Sequence, residues 1–296
     1  MRSGAELIAV DWGTTNRRAY AVADDGTVID EVSDGLGVLA IESGGFPAAV
    51  ADLRARLGNA PMLLAGMIGS NRGWVEAPYR SCPAGPDELA DGLKRVPETN
   101  AAIIPGLSFA GEASVDVMRG EEVQLLGAVA AGLVSPDAPA CHPGTHAKWV
   151  KLESGRIASF RTVMTGEIFA LLKKHSIIGS QLQAEIAPGP SFAAGVRRSL
   201  ERCELTADLF QIRARGLIGG LSNEEAGAYA SGLLIGADIR TGLSFVGKGG
   251  AVALIGDRAL TALYAAAMRE TGRACFEVDG EEAFLAGIKA IAEIMK

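Results

Sequence analysis

Two short turns that combine glycine with hydroxyl residues are the first candidates for chemistry in this sequence. They read DWGTT at 11–15 and GTHAK at 144–148. In such a turn, backbone N–H groups and threonine hydroxyls can bind phosphate oxygens, and a preceding carboxylate such as Asp11 can bind Mg²⁺ or its waters. The alternative is an ordinary hairpin turn in which threonine bonds only to its own backbone. The second copy favours phosphate binding, because a nucleotide held between duplicated domains needs two such loops.

The elements that position these turns follow from hydrophobic patterning. Short apolar runs between turn residues predict strands, and apolar residues at helical spacing predict helices. The predicted strands cover 7–10, 18–23, 28–32, 62–67, 149–152, 157–163, 251–255 and 274–278. The predicted helices cover 46–57, 121–133, 226–239, 258–267 and 280–296. Each glycine–threonine turn opens a hairpin that leads towards a helix, so the sequence predicts an internal duplication into two α/β halves.

Composition limits the class of protein. A chain of 296 residues corresponds to about two domains, and 48% hydrophobic with 21% charged residues excludes disorder. The net charge of −7 argues against a nucleic-acid groove or an anionic membrane surface as partner. The four cysteines include no CxxC pair, which argues against a disulfide framework and a zinc finger.

Two further features concern location and backbone. The apolar run near the N-terminus is too short for a signal peptide, and the stretch 127–134 is too short to span a bilayer, so we expect a cytoplasmic protein. The 38 glycines exceed the usual share and stand singly at the ends of apolar runs. That distribution predicts tight strand–loop junctions where the backbone approaches a ligand.

Six stretches of the sequence resemble the 2-dehydro-3-deoxygalactonokinases, a family of the actin, hexokinase and Hsp70 superfamily. They read VDWGTTNRRAY at 10–20, AGMIGSNRGWVEAPY at 65–79, DVMRGEEVQLLGA at 116–128, PGTHAKWV at 143–150, MTGEIF at 164–169 and SGLLIGADI at 231–239. The resemblance covers nearly the whole chain in order. It implies an α/β fold of two RNase H-like domains, a sugar-binding domain at 1–132 and a nucleotide-binding domain at 133–296, with an active-site cleft between them. The closing helix, about 280–296, is expected to pack back on the first domain.

The resemblance implies a kinase that uses ATP and Mg²⁺ to phosphorylate the 6-hydroxyl of 2-dehydro-3-deoxy-D-galactonate in galactonate catabolism. This reaction needs a metal ion and a carboxylate that takes the hydroxyl proton. Glu121 aligns best with that base, Glu122 is the alternative, and Asp11 is the implied metal ligand. The residues alone leave another interpretation open, since paired glutamates at a helix start also complement the helix dipole.

Residues of both turns, together with two later glycines, are implied in ATP binding. The set is Gly13, Thr14, Thr15, Gly144, Thr145, His146, Lys148, Gly220 and Gly256. The second turn departs from the superfamily, because CHP at 141–143 stands where an aspartate usually precedes the glycine. Lys148 either contacts a phosphate or faces solvent from a strand. Gly220 and Gly256 either belong to strand–helix junctions that stack adenine or are ordinary helix caps.

A glycine-rich loop in the first half is the implied sugar-acid site. The planar guanidinium of Arg72 could bind the substrate carboxylate, and Arg119 is a second candidate. The other implied substrate residues are Gly69, Ser70, Asn71, Trp74 and Glu76. The alternative is a structural loop in which Arg72 is solvated.

Two other functions fit the same fold. An exopolyphosphatase-like phosphatase would use the glutamate to activate water, and a non-catalytic sugar or nucleotide sensor would bind its ligand without turnover. The expected partner is a small sugar acid, with no nucleic acid and no membrane. The sequence leaves open whether the chain forms a homodimer and whether it prefers the galactonate- or the gluconate-derived epimer.

Overall fold

The computed structural model describes residues 4–112 and 114–296, so residues 1–3, at the start of the first predicted domain, and residue 113 lie outside the described residues. The chain forms two compact units. Unit 1 comprises the described residues up to Pro136, together with Glu153–Ser159 and Glu281–Lys296. Unit 2 comprises Asp137–Leu152 and Phe160–Gly280.

The strands and helices alternate along the chain. The strands are β1 (Leu7–Trp12), β2 (Arg17–Val22), β3 (Val28–Asp34), β4 (Met62–Gly66), β5 (Arg80–Ser81), β6 (Lys94–Val96), β7 (Ala101–Ile103), β8 (Leu107–Gly111), β9 (Ser114–Met118), β10 (Pro139–His142), β11 (Ala147–Glu153), β12 (Arg156–Val163), β13 (Val252–Gly256) and β14 (Cys275–Asp279). The helices are α1 (Phe46–Leu57), α2 (Pro86–Asp91), α3 (Glu121–Ala130), α4 (Thr165–His175), α5 (Pro190–Glu201), α6 (Leu205–Ile218), α7 (Asn223–Val246), α8 (Arg258–Arg269) and α9 (Gly280–Ile294).

The two larger sheets share one topology. One has the strand order β3-β2-β1-β4-β7-β6, and the other has the order β12-β11-β10-β13-β14. In each sheet the first strand of the repeat pairs antiparallel with the next strand and parallel with a later one, as β1 does with β2 and β4 and as β10 does with β11 and β13. The predicted α/β class is confirmed, and the repeated topology agrees with the predicted duplication.

The start of unit 1 shows why these residues form these elements. All five residues of β4 are buried, as expected for a strand paired in parallel and covered on both faces. Helix α1 has a proline in its first turn, buries Phe46, Val50 and Leu53 on one face, and ends at Gly58. These side chains join the buried residues of β1 and β4 in one apolar core. The core fixes the ends of β1 and β4 side by side.

Unit 2 contains more helix than the sequence predicted. The prediction gave no bounds for α4, the helix after the second hairpin, and omitted α5 and α6. It ended α7 at residue 239, whereas this helix continues to Val246. Large apolar side chains of α6 stand in solvent, among them Phe210, Leu217 and Ile218, so its apolar pattern has no single buried face. Helical periodicity was therefore a poor guide to this helix.

Some glycines lie at strand ends as predicted, for example Gly66 and Gly256, but others serve helix packing, which the prediction did not include. A Cβ at Gly195 of α5 would lie 2.3 Å from the carbonyl oxygen of Tyr229 in α7, and one at Gly232 of α7 would lie 2.1 Å from that of Phe192. Helices α5 and α7 therefore approach backbone to backbone. In unit 1, Gly127 of α3 and Gly287 of α9 make the same kind of contact.

Among the described residues, no helix is both long enough and apolar enough to cross a bilayer.

Candidate active site

The carboxyl ends of β1 and β4 place Asp11 beside two glycines. The register pairs Asp11 with Ala65 and Trp12 with Gly66. Gly66 has φ +90°, and a Cβ there would lie 2.8 Å from the Trp12 carbonyl oxygen and 3.4 Å from Asp11 Oδ1. Gly120 has φ +109°, and a Cβ there would lie 3.1 Å from the Gly66 Cα. These close approaches bring the start of α3 against the end of β4.

The carboxyl group of Asp11 is affected at this point by the charge of Glu121. Burial raises the pKa of Asp11 to about 6 against the opposing charge of Arg18, and the charge of Glu121 adds a smaller part of the rise. The carboxylate oxygen is the kind of donor that Mg²⁺ prefers, and this ion is usually bound by one or two carboxylates together with substrate phosphates. Among the described residues, His, Cys, Asp and Glu side chains form no group of three that could hold a metal ion. Asp11, a carboxylate near the end of β1 and just before the first glycine–threonine turn, fits a magnesium ion that is bound together with a phosphate.

The two glutamates at the start of α3 have different environments. Glu122 is 0% exposed, and both of its carboxyl oxygens accept the backbone N–H of Gly120, at 2.9 and 2.7 Å. Burial, and secondarily the charge of Glu121, raises the pKa of Glu122 to about 8. Glu121 is partly exposed, and its Oε2 accepts the backbone N–H of Arg119 at 3.0 Å. The geometry favours Glu121 over Glu122 as the group that meets a substrate.

Arg119 carries a buried guanidinium group that its surroundings satisfy only in part. Its Cζ lies 4.4 Å from the ring centroid of Tyr79, and its Nη2 donates to the Ala77 carbonyl oxygen at 2.7 Å. Nε and Nη1 are buried and have no hydrogen-bond partner among the described residues. A Cβ at Gly69 would lie 2.8 Å from Nη1, so Gly69 gives the guanidinium its space. Buried donors of this kind are rare and call for a partner, such as a substrate carboxylate.

The other predicted substrate residues, in and after the Gly69 loop, differ from one another in their burial and contacts. Ser70 Oγ donates to the Met67 carbonyl oxygen at 2.7 Å and accepts the N–H of Arg72 at 3.2 Å, so this hydroxyl fixes the turn. Asn71, Arg72 and Glu76 are exposed. Trp74 is partly buried and packs against the core of unit 1. The structure therefore brings Gly69 together with Arg119, and it leaves Arg72 in solvent.

The first glycine–threonine turn is fixed by a segment that the sequence reasoning missed. The carbonyl oxygens of Gly13, Thr14 and Thr15 accept N–H groups from residues 37–39 at 3.0 to 3.2 Å. A Cβ at Gly37 would lie 2.3 Å from the Thr15 backbone, so this glycine is required. The isolated glycines after β3 were the signal that could have found it. Thr14 and Thr15 remain exposed at the tip of the turn.

The second turn is fixed by the start of α4. A Cβ at Gly166 would lie 2.8 Å from both the Gly144 carbonyl oxygen and the Thr145 Cα. The N–H of Glu167 donates to the Thr145 carbonyl oxygen at 3.0 Å, and Glu167 Oε2 lies 2.5 Å from Nε2 of His146. Lys148 is 3% exposed, and its Nζ donates to the His146 carbonyl oxygen at 2.7 Å. The alternative of a solvent-facing Lys148 is therefore wrong.

The two glycines predicted near adenine lie in different contexts. Gly256 ends β13 directly before α8, and a Cβ there would lie 3.6 Å from His142 Nε2. Gly220 lies between α6 and α7, where Gly219 in the left-handed conformation ends α6. The prediction of a strand–helix junction at Gly220 is wrong, because helices flank it on both sides. Gly256 alone has the predicted context.

Comparison with known proteins adds three findings. The model of the 2-keto-3-deoxy-galactonokinase family matches residues 11–291. A 2-dehydro-3-deoxygalactonokinase of Escherichia coli (strain K12) is 40% identical over an alignment of 291 residues, and the alignment covers 97% of this chain and 98% of that protein. The crystal structure of a Sinorhizobium meliloti protein proposed to have the same activity is 36% identical, with a TM-score of 0.91 over 98% of this chain and 99% of that one.

A more distant likeness concerns the fold alone. The activator of the 2-hydroxyisocaproyl-CoA dehydratase from Clostridium difficile, solved with bound ADPNP, is 14% identical to this chain. Its TM-score is 0.51 over 98% of this chain and 95% of that one.

Proposed function

The chain belongs to the 2-keto-3-deoxy-galactonokinase family, and from this premise we propose that it transfers the γ-phosphoryl group of ATP to the 6-hydroxyl of 2-dehydro-3-deoxy-D-galactonate. It is a phosphotransferase with the α/β fold of the actin, hexokinase and Hsp70 type, as the sequence predicted. Family membership favours the kinase over the exopolyphosphatase-like phosphatase and the sensor.

The observation that carries the proposal is that the close approach of Gly120 to Gly66 brings Glu121, the first residue of α3, near enough to Asp11 for its charge to raise the pKa of Asp11. Phosphoryl transfer depends on positioning, on a metal ion that neutralises phosphate charge, and on a carboxylate that accepts the hydroxyl proton. Asp11 would hold Mg²⁺, which spreads the charge of the phosphates when bound. Glu121 would orient the 6-hydroxyl and accept its proton.

Arg119 supports a sugar acid as the acceptor. A neutral sugar offers no group that matches a buried guanidinium with two unpartnered nitrogens, whereas a carboxylate does. Tyr79, stacked on the guanidinium, would keep its plane fixed while the carboxylate binds. We therefore assign the substrate carboxylate to Arg119 rather than to the exposed Arg72.

Each glycine–threonine turn, taken by itself, offers groups that would bind phosphate oxygens of ATP. In unit 1 the exposed Thr14 and Thr15 would contribute hydroxyls. In unit 2 the turn at 144–146 would contribute backbone N–H groups and His146, with Lys148 nearby as a positive charge.

The test is ADP release from ATP and Mg²⁺ with 2-dehydro-3-deoxy-D-galactonate, with its gluconate epimer, and with no sugar acid. We expect turnover that depends on the galactonate compound. Release of ADP without any sugar acid would support the phosphatase instead. Binding of the sugar acid without turnover would support the sensor.

A further inference from the structure

A buried aspartate in unit 2 lies outside the set of residues assigned above. Asp238 of α7 is 0% exposed and accepts hydrogen bonds from three other elements. Trp149 Nε1 of β11 donates to Oδ1 at 2.6 Å, Thr165 Oγ1 of α4 donates to Oδ2 at 2.5 Å, and the Tyr264 hydroxyl of α8 also donates to Oδ2. A buried carboxyl group is costly unless it is fully hydrogen-bonded, and three donors meet that requirement.

One of these donors leads directly to the second turn. Thr165 is the first residue of α4 and is itself buried. The next residue, Gly166, packs on the backbone of Gly144 and Thr145, and Glu167 bonds to the same turn through its backbone and its side chain. Three consecutive residues therefore join the Asp238 carboxyl to the turn at 144–146.

The other two donors, Trp149 and Tyr264, belong to the apolar core of unit 2. Tyr264 lies in α8, and the same core includes Phe192. Tyr264 and Thr165 give their hydroxyl protons to the same oxygen, Oδ2, but only Thr165 adjoins residues that touch the turn. The two hydroxyls are thus a matched pair for experiment.

We propose that Asp238 is a positioning residue that, through Thr165, holds the start of α4 and thereby the turn at 144–146 in the geometry that binds the phosphates of ATP. The inference rests on the proposed function in one respect, the assignment of ATP phosphates to this turn. Asp238 itself is fully buried, so it would act on a ligand only through the residues it holds. A turn without this support would sample other positions, so ATP binding would weaken while the sugar-acid site of unit 1 stayed intact.

The experiment compares Thr165→Val with Tyr264→Phe in the full chain. Each change removes one hydroxyl from Asp238 Oδ2 and keeps nearly the same shape. For each variant we would measure the Kd for Mg·ATP by calorimetry, the KM values for ATP and for the sugar acid, and the Tm. For Thr165→Val we expect Mg·ATP binding about tenfold weaker, the change that corresponds to one hydrogen bond to a charged group. Its KM for the sugar acid should stay within about twofold, a shift of under half a kcal/mol.

Two controls separate positioning from general stability. Tyr264→Phe should lower the Tm comparably and leave the Kd for Mg·ATP unchanged. Thr165→Ser keeps the hydroxyl and should restore ATP binding. Equal effects of Thr165→Val and Tyr264→Phe on the Kd, or an unchanged Kd in Thr165→Val, would overturn the inference.

The outcome also distinguishes the inference from the proposed function. A wild-type chain that binds Mg·ATP but does not phosphorylate the sugar acid would refute the proposed function, while the calorimetric comparison would still decide the role of Asp238. A wild-type chain that does not bind Mg·ATP would overturn both.

Discussion

The buried carboxyl group of Glu122 should make the free energy of unfolding depend on pH by a predictable amount. Its pKa is raised from 4.5 to about 8, so between these values the unfolded chain releases a proton that the folded chain keeps. The contribution of Glu122 to stability therefore falls as pH rises from 4.5 to about 8, by about 1.4 kcal/mol per pH unit, and stays constant above that range. Glu122→Gln removes this titration, and its amide oxygen can still accept the Gly120 N–H.

The size of this stability change follows from the pH range between the unfolded and folded pKa values of Glu122. Between pH 4.5 and pH 7 the free energy of unfolding of Glu122→Gln should gain about 3 kcal/mol relative to wild type. The measurement is denaturant unfolding of both proteins at half-unit pH steps from 4 to 8.5, with m-values compared to check that the same surface unfolds. A difference between the two proteins that does not change with pH would refute the assignment of a protonated Glu122.

Glu88 provides a control of opposite sign in the same unit. Its pKa lies below the usual value, chiefly because the Arg156 guanidinium bonds to it, and the Gly85 N–H also donates to it. The folded state therefore favours the ionised form, and the stability contributed by Glu88 is present above the unfolded pKa and is lost as pH falls. Glu88→Gln should be destabilising near neutral pH, and its deficit should shrink on acidification. For each variant, the difference in free energy of unfolding from wild type is plotted against pH. If these two differences changed with pH in the same direction, the pH dependence would come from other groups.

Three further predictions concern catalysis, binding and packing. Glu121→Gln should lower kcat by ~10²–10⁴, the range for loss of a general base, as measured by steady-state ADP release; near-wild-type turnover would remove Glu121 from the reaction. Arg119→Met should raise KM for the sugar acid by roughly 10- to 100-fold with little change in KM for ATP, because it removes a charged hydrogen bond to the carboxylate. Arg72→Met is the matched control and should change neither KM. Gly232→Ala should destabilise unit 2 by about 1–3 kcal/mol in denaturant unfolding, because its Cβ would lie 2.1 Å from the Phe192 carbonyl oxygen. An unchanged unfolding midpoint would contradict the close packing of α5 and α7.

Much of the fold was readable because it depends on local pattern. The apolar runs that became β1 and β4, and the helix that became α1, carry strong periodicity and end at glycine. The repeated glycine–threonine hairpin predicted a duplication, and both sheets have that topology. These signals act within a few residues, so one sequence suffices to see them.

The candidate site was less readable because its properties arise from contacts between distant residues. Glu121 and Glu122 are neighbours of identical type, and only the packing of α3 makes one of them buried. Arg72 lies in a glycine-rich loop and looked like the carboxylate ligand, whereas the partly satisfied guanidinium belongs to Arg119. The donors to Asp238 come from Trp149, Thr165 and Tyr264, on three separate elements. No local pattern marks such partners.

The packing of α9 on α3 has a consequence for synthesis. Unit 1 includes Glu281–Lys296, which the ribosome adds only after it has made all of unit 2. Until then, α3 lacks its packing partner α9. In the complete chain, Ala283 and Gly287 of α9 pack against Gly127 and Val123 of α3. The first unit to emerge is therefore the last to be completed, and its nascent chain must stay protected from aggregation while unit 2 is translated.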